Sequence, residues 1–426
     1  MLKINKAFII ACFLFTQLAL FAQNNTNSPY TRYGYGELAN RSFGAGRAMG
    51  GLGFGLKSSR QINPMNPASY SAVDSMTFLF DFGISGQMSW YDDGTNKQKN
   101  KNGNVEYIAM QFPITKRLAV SAGVLPYSYV GYDFSHVDRI AGETSLNTFS
   151  GKGGLNDIYL GLSMDVWKKR LSVGLNAGYL FGTVTHSSKL TFPSSTSALP
   201  IEKKQEIRVN DLKLDFGVQY THPLSKTEHV VAGLAFSPSN KLNTKVYNTF
   251  REGDEYTQNA ITTIDTLTNS AFDLPASYGL GLSYVKQNKL TVGVDVLYEE
   301  WKKAYFEDEK GLFDNHYRVA GGVEYIPGYM ERSFLKRVRY RAGIHYGNSY
   351  QLVSTNEAGG AKSGYNDYGA SIGFGLPLID NRSFLNLSFE YMRVKPKVSS
   401  MVDEQYFRVT VNYTFNEQWF FKFKLK

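Results

Sequence analysis

The feature that most constrains the fold is an alternation of apolar and polar residues, which recurs in segments of about ten residues. In the first such segment, one set of alternate positions is apolar, namely Phe78, Phe80, Phe82, Ile84, Met88 and Trp90. The same pattern returns near residues 171–182, 290–299 and 407–415. Because successive side chains of a β-strand point to opposite faces, each segment is predicted to be a strand with one apolar face. About ten residues is also the length that a tilted strand needs to cross a membrane.

The composition indicates where these apolar faces lie. The chain has 29 Tyr, 29 Phe and 40 Gly among 426 residues, yet its mean hydropathy is only -0.30. A polar chain that is rich in aromatic residues is typical of a membrane barrel, whose strands are apolar on the lipid side only. The chain has a formal charge of +9, and its basic residues collect in short turns. We therefore interpret it as solvated rims or contacts with lipid phosphate, and not as a nucleic-acid surface.

The number of strands follows from the connections between them. The sequence predicts fourteen strands between residues 76 and 415, with connections that alternate between long and short. The long connections are predicted at 92–103, 133–154, 188–205, 247–273 and 353–365. A stretch near 138–150 also has strand character, and it is interpreted as an extension within an external loop. Because a membrane offers no water to an unpaired strand edge, the predicted fold is all-β, a closed transmembrane antiparallel β-barrel.

The N-terminus predicts export. Lys3 and Lys6 precede an apolar stretch that is followed by Ala22, so residues 1–22 are predicted to be a signal peptide. The apolar stretch is too short for a transmembrane helix. The only cysteine, Cys12, lies within it, and a lipoprotein cleavage site at Cys12 is the minor alternative. The predicted location is the outer membrane of a Gram-negative bacterium, where membrane lipid and lipopolysaccharide are the expected partners.

The residues on either side of the predicted barrel do not alternate. Residues 23–75 are rich in glycine and end in a double Asn-Pro motif made of Asn63, Pro64, Asn66, Pro67 and Ala68. Such a segment suits close packing in a confined space, whereas the plainer interpretation of the motif is a turn that leads into the first strand. Both interpretations stay open from the residues alone. Residues 416–426 form an aromatic and basic tail, which either extends the last strand or lies at the membrane interface.

The Asn66-Pro67-Ala68 element, the glycine-rich segment before it and the predicted fourteen strands resemble the FadL/TodX family of outer-membrane transporters of hydrophobic compounds. Residues 274–281 and 295–301 are similar to later strands of that family. The resemblance implies that residues 23–75 fold into the barrel as a hatch, with the Asn-Pro motif near its base. It also implies that a hydrophobic molecule passes through the lumen and leaves through an opening in the wall.

Charged residues occupy the predicted inward positions of the strands. The lumen-facing candidates are Asp81, Asp215, Asp295, Arg339, Arg341, Glu390 and Arg408. A basic side chain that faces lipid near the midplane costs about 2–4 kcal/mol, so these groups are predicted to face inward. Their simplest role is to pair with one another and with hatch residues such as Arg32, Arg41, Arg47 and Arg60. A polar path for a substrate is the alternative.

No catalytic arrangement stands out in the sequence. The six histidines show no recognisable pairing with a serine and a carboxylate, and no zinc, calcium or phosphate-binding motif occurs. The chain is therefore predicted not to be an enzyme and to bind no cofactor or metal. An outer-membrane hydrolase that uses His136 or His345 is the third hypothesis.

The leading functional prediction is passive uptake of a hydrophobic or amphipathic small molecule across the outer membrane. The alternative is a non-transporting structural or interaction subunit of an outer-membrane protein complex, such as secretion or assembly machinery. The polar stretches 92–103 and 247–266 and the tail favour this alternative, which would add protein partners in the envelope. Neither hypothesis involves nucleic acid.

Overall fold

The wall of the molecule is a ring of fourteen antiparallel strands. The computed structural model describes residues 26–140, 143–195, 198–253, 261–268, 270–354, 362–378 and 382–418. In chain order the strands are β1 Thr77–Asp92, β2 Lys97–Pro113, β3 Leu118–Ile140, β4 Glu143–Trp167, β5 Leu171–Thr191, β6 Ile201–Pro223, β7 Glu228–Ser237, β8 Ser277–Lys286, β9 Leu290–Glu299, β10 His316–Tyr325, β11 Arg339–Asn348, β12 Tyr365–Pro377, β13 Phe384–Pro396 and β14 Asp403–Gln418. The predicted signal peptide, residues 1–22, and the end of the tail, residues 419–426, lie outside the described residues.

The ring is closed by its first and last strands. Each strand pairs with the next one along the chain, and β14 pairs with β1 from Thr77 opposite Gln418 to Asp92 opposite Asp403. Closure supplies a partner to edges that lipid would otherwise leave without hydrogen bonds. The predicted fold class, an antiparallel barrel of fourteen strands, is confirmed.

The two faces of the wall differ as the alternation predicts. Large apolar side chains point outward and stay exposed, for example Leu160 (61%), Leu212 (67%) and Ile344 (66%). The intervening positions point inward and are buried, among them Asp81 and Asp295. The outward face therefore matches a lipid environment, and the polar groups lie in the lumen.

Several strands extend further than the alternation predicted. Residues 133–154 were predicted as a long loop, but they continue β3 and β4 as a paired hairpin with partners from Asp133 opposite Ser150 to Ile140 opposite Glu143. Most of the predicted loop 92–103 belongs to β2, and most of 247–273 forms a hairpin of Thr244–Glu252 with Ile261–Thr268. These extensions stand outside the lipid and mix polar residues with apolar ones such as Val137 and Ile264, so they carry no regular alternation to detect.

The N-terminal segment occupies the lumen. Residues 26–76, which we call the hatch, contain a short strand Glu37–Leu38, a single-turn helix α1 Gly44–Arg47, and 3₁₀ helices at Pro29–Arg32 and Pro67–Ala72. A second single-turn helix, α2 Phe334–Arg337, lies in the connection between β10 and β11. Within the described residues, no helix has the length and apolar character needed to span a membrane.

Candidate functional site: the occupied lumen and the wall beside it

The hatch runs around the inner wall on a row of glycines. Nine consecutive strands, β4 to β12, each place an inward glycine where an added Cβ would meet a hatch residue. In strand order these contacts are Gly161 with Tyr70, Gly174 with Pro67, Gly217 with Asn66 and Pro67, Gly233 with Phe54, Gly281 with Gly55, Gly293 with Leu52, Gly322 with Met49, Gly343 with Gly50, and Gly373 with Ala48. We call this row the glycine belt. It lets the hatch backbone approach the wall more closely than any side chain would allow.

Asp295 fixes the centre of the hatch to β9. Its carboxylate accepts backbone N–H groups from Gly53 at 2.6 Å, Phe54 at 2.8 Å and Gly55 at 3.3 Å. Gln219 of β6 donates its side-chain amide to the carbonyls of Phe54 at 3.1 Å and Leu56 at 3.0 Å. Both the donors and the acceptors of this irregular stretch are thus satisfied by the wall, as buried backbone groups require.

The Asn-Pro motif does more than end a turn. The side-chain amide of Asn66 donates to the carbonyls of Phe54 at 3.0 Å, Val218 at 3.3 Å and Leu234 at 3.3 Å. Its side-chain oxygen accepts the N–H of Ala68 at 3.1 Å, which caps the 3₁₀ helix that begins at Pro67.

The rest of the motif continues the same network. Asn63 donates to the carbonyls of Gly53 at 2.6 Å and Leu56 at 3.1 Å. Pro64 accepts from the Asn176 amide of β5 at 3.2 Å, and Pro67 lies against Gly174 and Gly217. The motif therefore joins two parts of the hatch to each other and to the wall.

Two hatch arginines pair with acids of the wall. Arg41 lies 2.9 Å from Asp215 and 3.5 Å from Asp157, and Lys213 also pairs with Asp215. Arg47, whose side chain is only 2% exposed, lies 2.9 Å from Glu106. Each buried charge is thus compensated. Removal of one partner would leave the other charge buried and unpaired, which is strongly unfavourable in a low dielectric.

The other two hatch arginines contact aromatic rings instead. Arg32 lies over the ring of Phe149 at 4.2 Å, and Arg60 donates to the hydroxyl of Tyr329 at 2.5 Å.

The remaining lumen candidates contact mainly other residues of the wall. Arg408 donates to Gln87 at 2.6 Å and lies 3.7 Å from Glu390. Arg339 and Arg341 hold Glu324 at 3.0 and 2.7 Å. Asp81 accepts from Asn412 and from Thr414 of β14. All seven lumen-facing candidates point inward, and Asp215, Asp295 and Arg408 contact charged or backbone groups of the hatch directly.

The carboxyl group of Glu37 and the ammonium group of Lys57 both have shifted pKa values. Burial raises the pKa of Glu37, and Arg408 at 3.9 Å only partly opposes this shift. Burial lowers the pKa of Lys57, whose ammonium donates to the Ser172 hydroxyl at 2.6 Å. Desolvation outweighs the nearby charges in both cases, as expected in a lumen that the hatch fills.

The outer end of the lumen is filled by aromatic side chains from the external connections. Trp301 is fully buried and lies 4.3 Å from the ring of Tyr350 and 5.6 Å from Phe313. Tyr35 of the hatch and Phe272 belong to the same cluster, which we call the outer cluster. The sequence indicated only polar external connections, because these aromatic residues are scattered along the chain and only the fold brings them together.

The wall is not continuous between β2 and β3. The two strands pair only from Ile108 opposite Val124 to Pro113 opposite Ala119. Each strand has an irregularity just beyond this stretch, at Glu106 in β2 and at Tyr127 in β3. A bulge bends a strand and ends its regular pairing. Beyond it, no β2–β3 pairing is found among the described residues.

We call the place where β2 and β3 part the wall separation. Along it, the hatch takes the place of β2 as the partner of β3. Glu37 and Leu38 pair with Tyr129 and Ser128 of β3. The hydroxyl of Thr31 donates to the Gly131 carbonyl at 3.1 Å and accepts the N–H of the same residue at 3.1 Å. The outer part of β3 is thus satisfied by the hatch instead of by its neighbour in the ring.

A cavity of about 180 Å³ lies inside the wall separation. Its lining combines apolar residues, such as Leu38, Phe54 and Leu297, with a charged group that includes Glu37, Arg47, Glu106, Glu390 and Arg408. Such a mixed lining suits an amphipathic molecule better than a wholly apolar one, because its buried charged groups must keep their hydrogen bonds.

The structure offers no support for catalytic chemistry. His136 is exposed near the end of β3, 3.8 Å from Asp138, and His345 is buried in the lumen, 3.9 Å from Asp367. In the described part of the chain, no three His, Cys, Asp or Glu residues are grouped as a metal site would require. That the chain is not an enzyme stays a prediction.

Sequence reasoning missed the glycine belt, Glu106 and Gln219. A signal for the belt exists, since an inward position is glycine on one strand after another. Nothing in the sequence indicates that the alternation of β2 is interrupted at Glu106. The bulge there depends on how β2 pairs with β1.

Comparisons with known proteins support the fold. A family model described as BamG matches residues 3–426. The chain superposes on a Pseudomonas aeruginosa FadL homologue (14% identity, TM-score 0.58, 89% of this chain and 99% of that one) and on the Pseudomonas putida toluene transporter TodX (14%, 0.57, 91% and 100%). It also superposes on the Ralstonia pickettii toluene transporter TbuX (15%, 0.54, 88% and 98%). A search of curated sequences found no match. The predicted resemblance to FadL/TodX proteins is confirmed, and the chain is an integral protein of the Gram-negative outer membrane.

Proposed function

We propose that this chain, which belongs to the BamG family, is a non-transporting barrel that serves as a structural or interaction subunit of an outer-membrane assembly complex. The observation that carries the proposal is the glycine belt, on which the hatch lies against nine consecutive strands and brings its backbone against six of them. A hatch that is packed in this way is fixed to nine of the fourteen strands of the wall. The family description, BamG, agrees with a role in an assembly complex.

The contacts around the belt support the same conclusion. Asp295 and Asn66 satisfy backbone groups of the hatch, and Arg41 and Arg47 pair with buried acids of the wall. Releasing the hatch would break all of these interactions together. Above it, the outer cluster fills the external end with side chains of the chain itself. Such a barrel is suited to present fixed surfaces to other proteins.

Purification from native membranes tests this function directly. The tagged chain, expressed at its native level, is solubilised in a mild detergent and its co-purifying proteins are identified and quantified. An unrelated barrel of the same host, carrying the same tag, is the control for background. We expect a defined set of envelope proteins in constant ratio to the chain. Recovery of the barrel alone, under conditions in which the control also comes alone, would refute the proposal.

A second function, passage of a hydrophobic compound, is favoured by the wall separation. Beyond Ile108 and Val124, β3 is bonded to the hatch and not to β2, so movement of the hatch would open the wall toward lipid. The FadL homologue, TodX and TbuX have the same fold, and two of these are described as toluene transporters. The charged groups within the mixed lining of the cavity favour an amphipathic compound over a wholly apolar one.

Uptake measurements distinguish the two functions. Cells with and without the gene are compared for uptake of toluene and of a long-chain fatty acid. A disulfide between Thr31→Cys and Gly131→Cys would hold the hatch on β3, and reduction would release it. Transport predicts an uptake that is lost on deletion and blocked reversibly by the disulfide. The subunit function predicts unchanged uptake in every case.

A further inference from the structure

The connection between β10 and β11 differs from the other turns at the same end of the barrel. The turns 114–117, 168–170, 224–227 and 287–289 have only three or four residues each. Residues 326–338, which we call the foot, form a much longer connection that contains α2. Periplasmic turns of membrane barrels are short, so a long one needs a separate explanation.

The foot exposes large apolar side chains. Met330 is 88% exposed, Leu335 67% and Phe334 46%. The same segment carries Arg332, Lys336 and Arg337 but a single acid, Glu331. Apolar groups next to an excess of positive charge are the combination found in segments that lie at a membrane surface.

The hydrogen bonds of the foot place it at the lipid side of the wall. Tyr340, on the outward face of β11, donates its hydroxyl to the carbonyl of Leu335 at 3.0 Å. The ring of Tyr340 also meets Phe374 of β12 edge to face at 5.9 Å. Aromatic rings in this position mark the membrane interface of a barrel. Leu335 therefore lies level with the boundary between lipid and periplasm.

The foot has a fixed position and is not a free loop end. The N–H of Gly328 donates to the Lys336 carbonyl at 2.8 Å, which closes the segment on itself. Tyr329 is held by Arg60 of the hatch at 2.5 Å. One end of the foot thus contacts the hatch, and the other end contacts the outer surface of the wall.

We propose that the foot binds glycerophospholipids of the periplasmic leaflet. Phe334 and Leu335 enter the acyl region, and Arg332, Lys336 and Arg337 hold lipid phosphates. The apolar side chains lose their contact with water, and the basic groups meet a surface that carries negative charge. A lipid is favoured over a protein partner because the foot is level with the aromatic residues that face lipid. This interaction does not depend on the function proposed above.

The test uses thiol probes in the full barrel, because residues 23–426 contain no cysteine. Leu335→Cys carries a fluorophore, and the protein is reconstituted alone into vesicles of phosphatidylethanolamine and phosphatidylglycerol. Quenching by spin-labelled lipid is compared with quenching by aqueous iodide. Ile344→Cys on the lipid face and Lys226→Cys in a tight turn are the two controls. We expect Leu335 to behave like Ile344 toward both quenchers.

The opposite result would overturn the proposal. If iodide quenches the probe at Leu335 as strongly as the probe at Lys226, the foot does not enter lipid. Cross-linking from Leu335 to a protein in cells, together with that result, would assign the foot to a protein partner instead. The phosphate contacts are tested separately by replacing Arg332, Lys336 and Arg337 with glutamine. Phosphatidylglycerol retained by the barrel in native mass spectrometry should then fall, whereas unchanged retention would refute the basic part of the site.

Discussion

Replacing Asp295 with alanine should loosen the hatch without destroying the barrel. The change removes the acceptor of three hatch N–H groups, two of which bond at 2.6 and 2.8 Å and one at 3.3 Å. A buried donor left without a partner costs about 1–3 kcal/mol. Counting only the two shorter bonds gives about 3 kcal/mol for the loss of hatch stability. Since about 1.4 kcal/mol corresponds to a factor of ten, the equilibrium constant for local opening should rise about 150-fold.

Thiol labelling measures this opening. Cysteine replaces Ala45, which lies in α1 and is 4% exposed, so the reagent reaches the thiol only when the hatch opens. With closing faster than labelling, the labelling rate reports the opening equilibrium. We expect the rate to rise about 150-fold in Asp295→Ala and by less in Asp295→Asn, which keeps one oxygen acceptor.

A matched control separates hatch release from general damage. Glu324 is buried like Asp295, but its ion pairs with Arg339 and Arg341 lie within the wall. Glu324→Gln should therefore leave the labelling rate close to that of the parent. The reasoning is refuted if Asp295→Ala labels no faster than the parent, or if Glu324→Gln labels as fast as Asp295→Ala.

Three further predictions use the same labelling assay or a related one. Gly343→Ala puts a Cβ into the backbone of Gly50, so it should speed labelling or lower the yield of folded barrel. Gly321→Ala, whose Cβ meets only one atom at 3.9 Å, should do neither, and equal behaviour of the two variants would contradict the role of the belt. Burial raises the pKa of Glu37, so the protonated carboxyl is the form that favours the closed hatch. The labelling rate should therefore rise as the pH increases from the ordinary pKa of a glutamate through the raised pKa of Glu37. Glu37→Gln should abolish this pH dependence, and a dependence that survives in Glu37→Gln would assign it to another group. Trp301→Ala removes a fully buried ring at a cost of about 3–5 kcal/mol. Protease should therefore cut the external connections sooner than in Trp167→Ala, whose side chain is 48% exposed, and equal cutting would show that the outer cluster does not stabilise the external end.

The barrel could be predicted from the sequence because its evidence is local. Phe78, Phe80 and Phe82 lie on one face whatever the rest of the chain does, since the geometry of a strand fixes the direction of each side chain. Closure then follows from the lack of water in lipid. The extended ends of β3 and β4 were missed because, outside the membrane, neither face needs to be apolar.

The inward direction of the charged residues was predictable for the same reason, but their partners were not. The alternation places Asp215 and Asp295 on the same side of the wall. It cannot indicate that Asp215 meets Arg41, or that Asp295 accepts three N–H groups from the hatch. The path of the hatch settles that, and an irregular backbone has no period from which its path could be derived.

The sequence by itself determined the ring of strands, its lipid-facing surface and the polar character of its interior. Only the tertiary structure decided that the hatch follows the glycine belt, that β3 exchanges β2 for the hatch at the wall separation, and that scattered aromatic residues form the outer cluster. The physical reason is the range of the forces involved. Alternation is set by neighbours along one strand, whereas contacts such as that between Gly53 and Asp295 join residues more than two hundred positions apart and depend on the shape of the whole barrel.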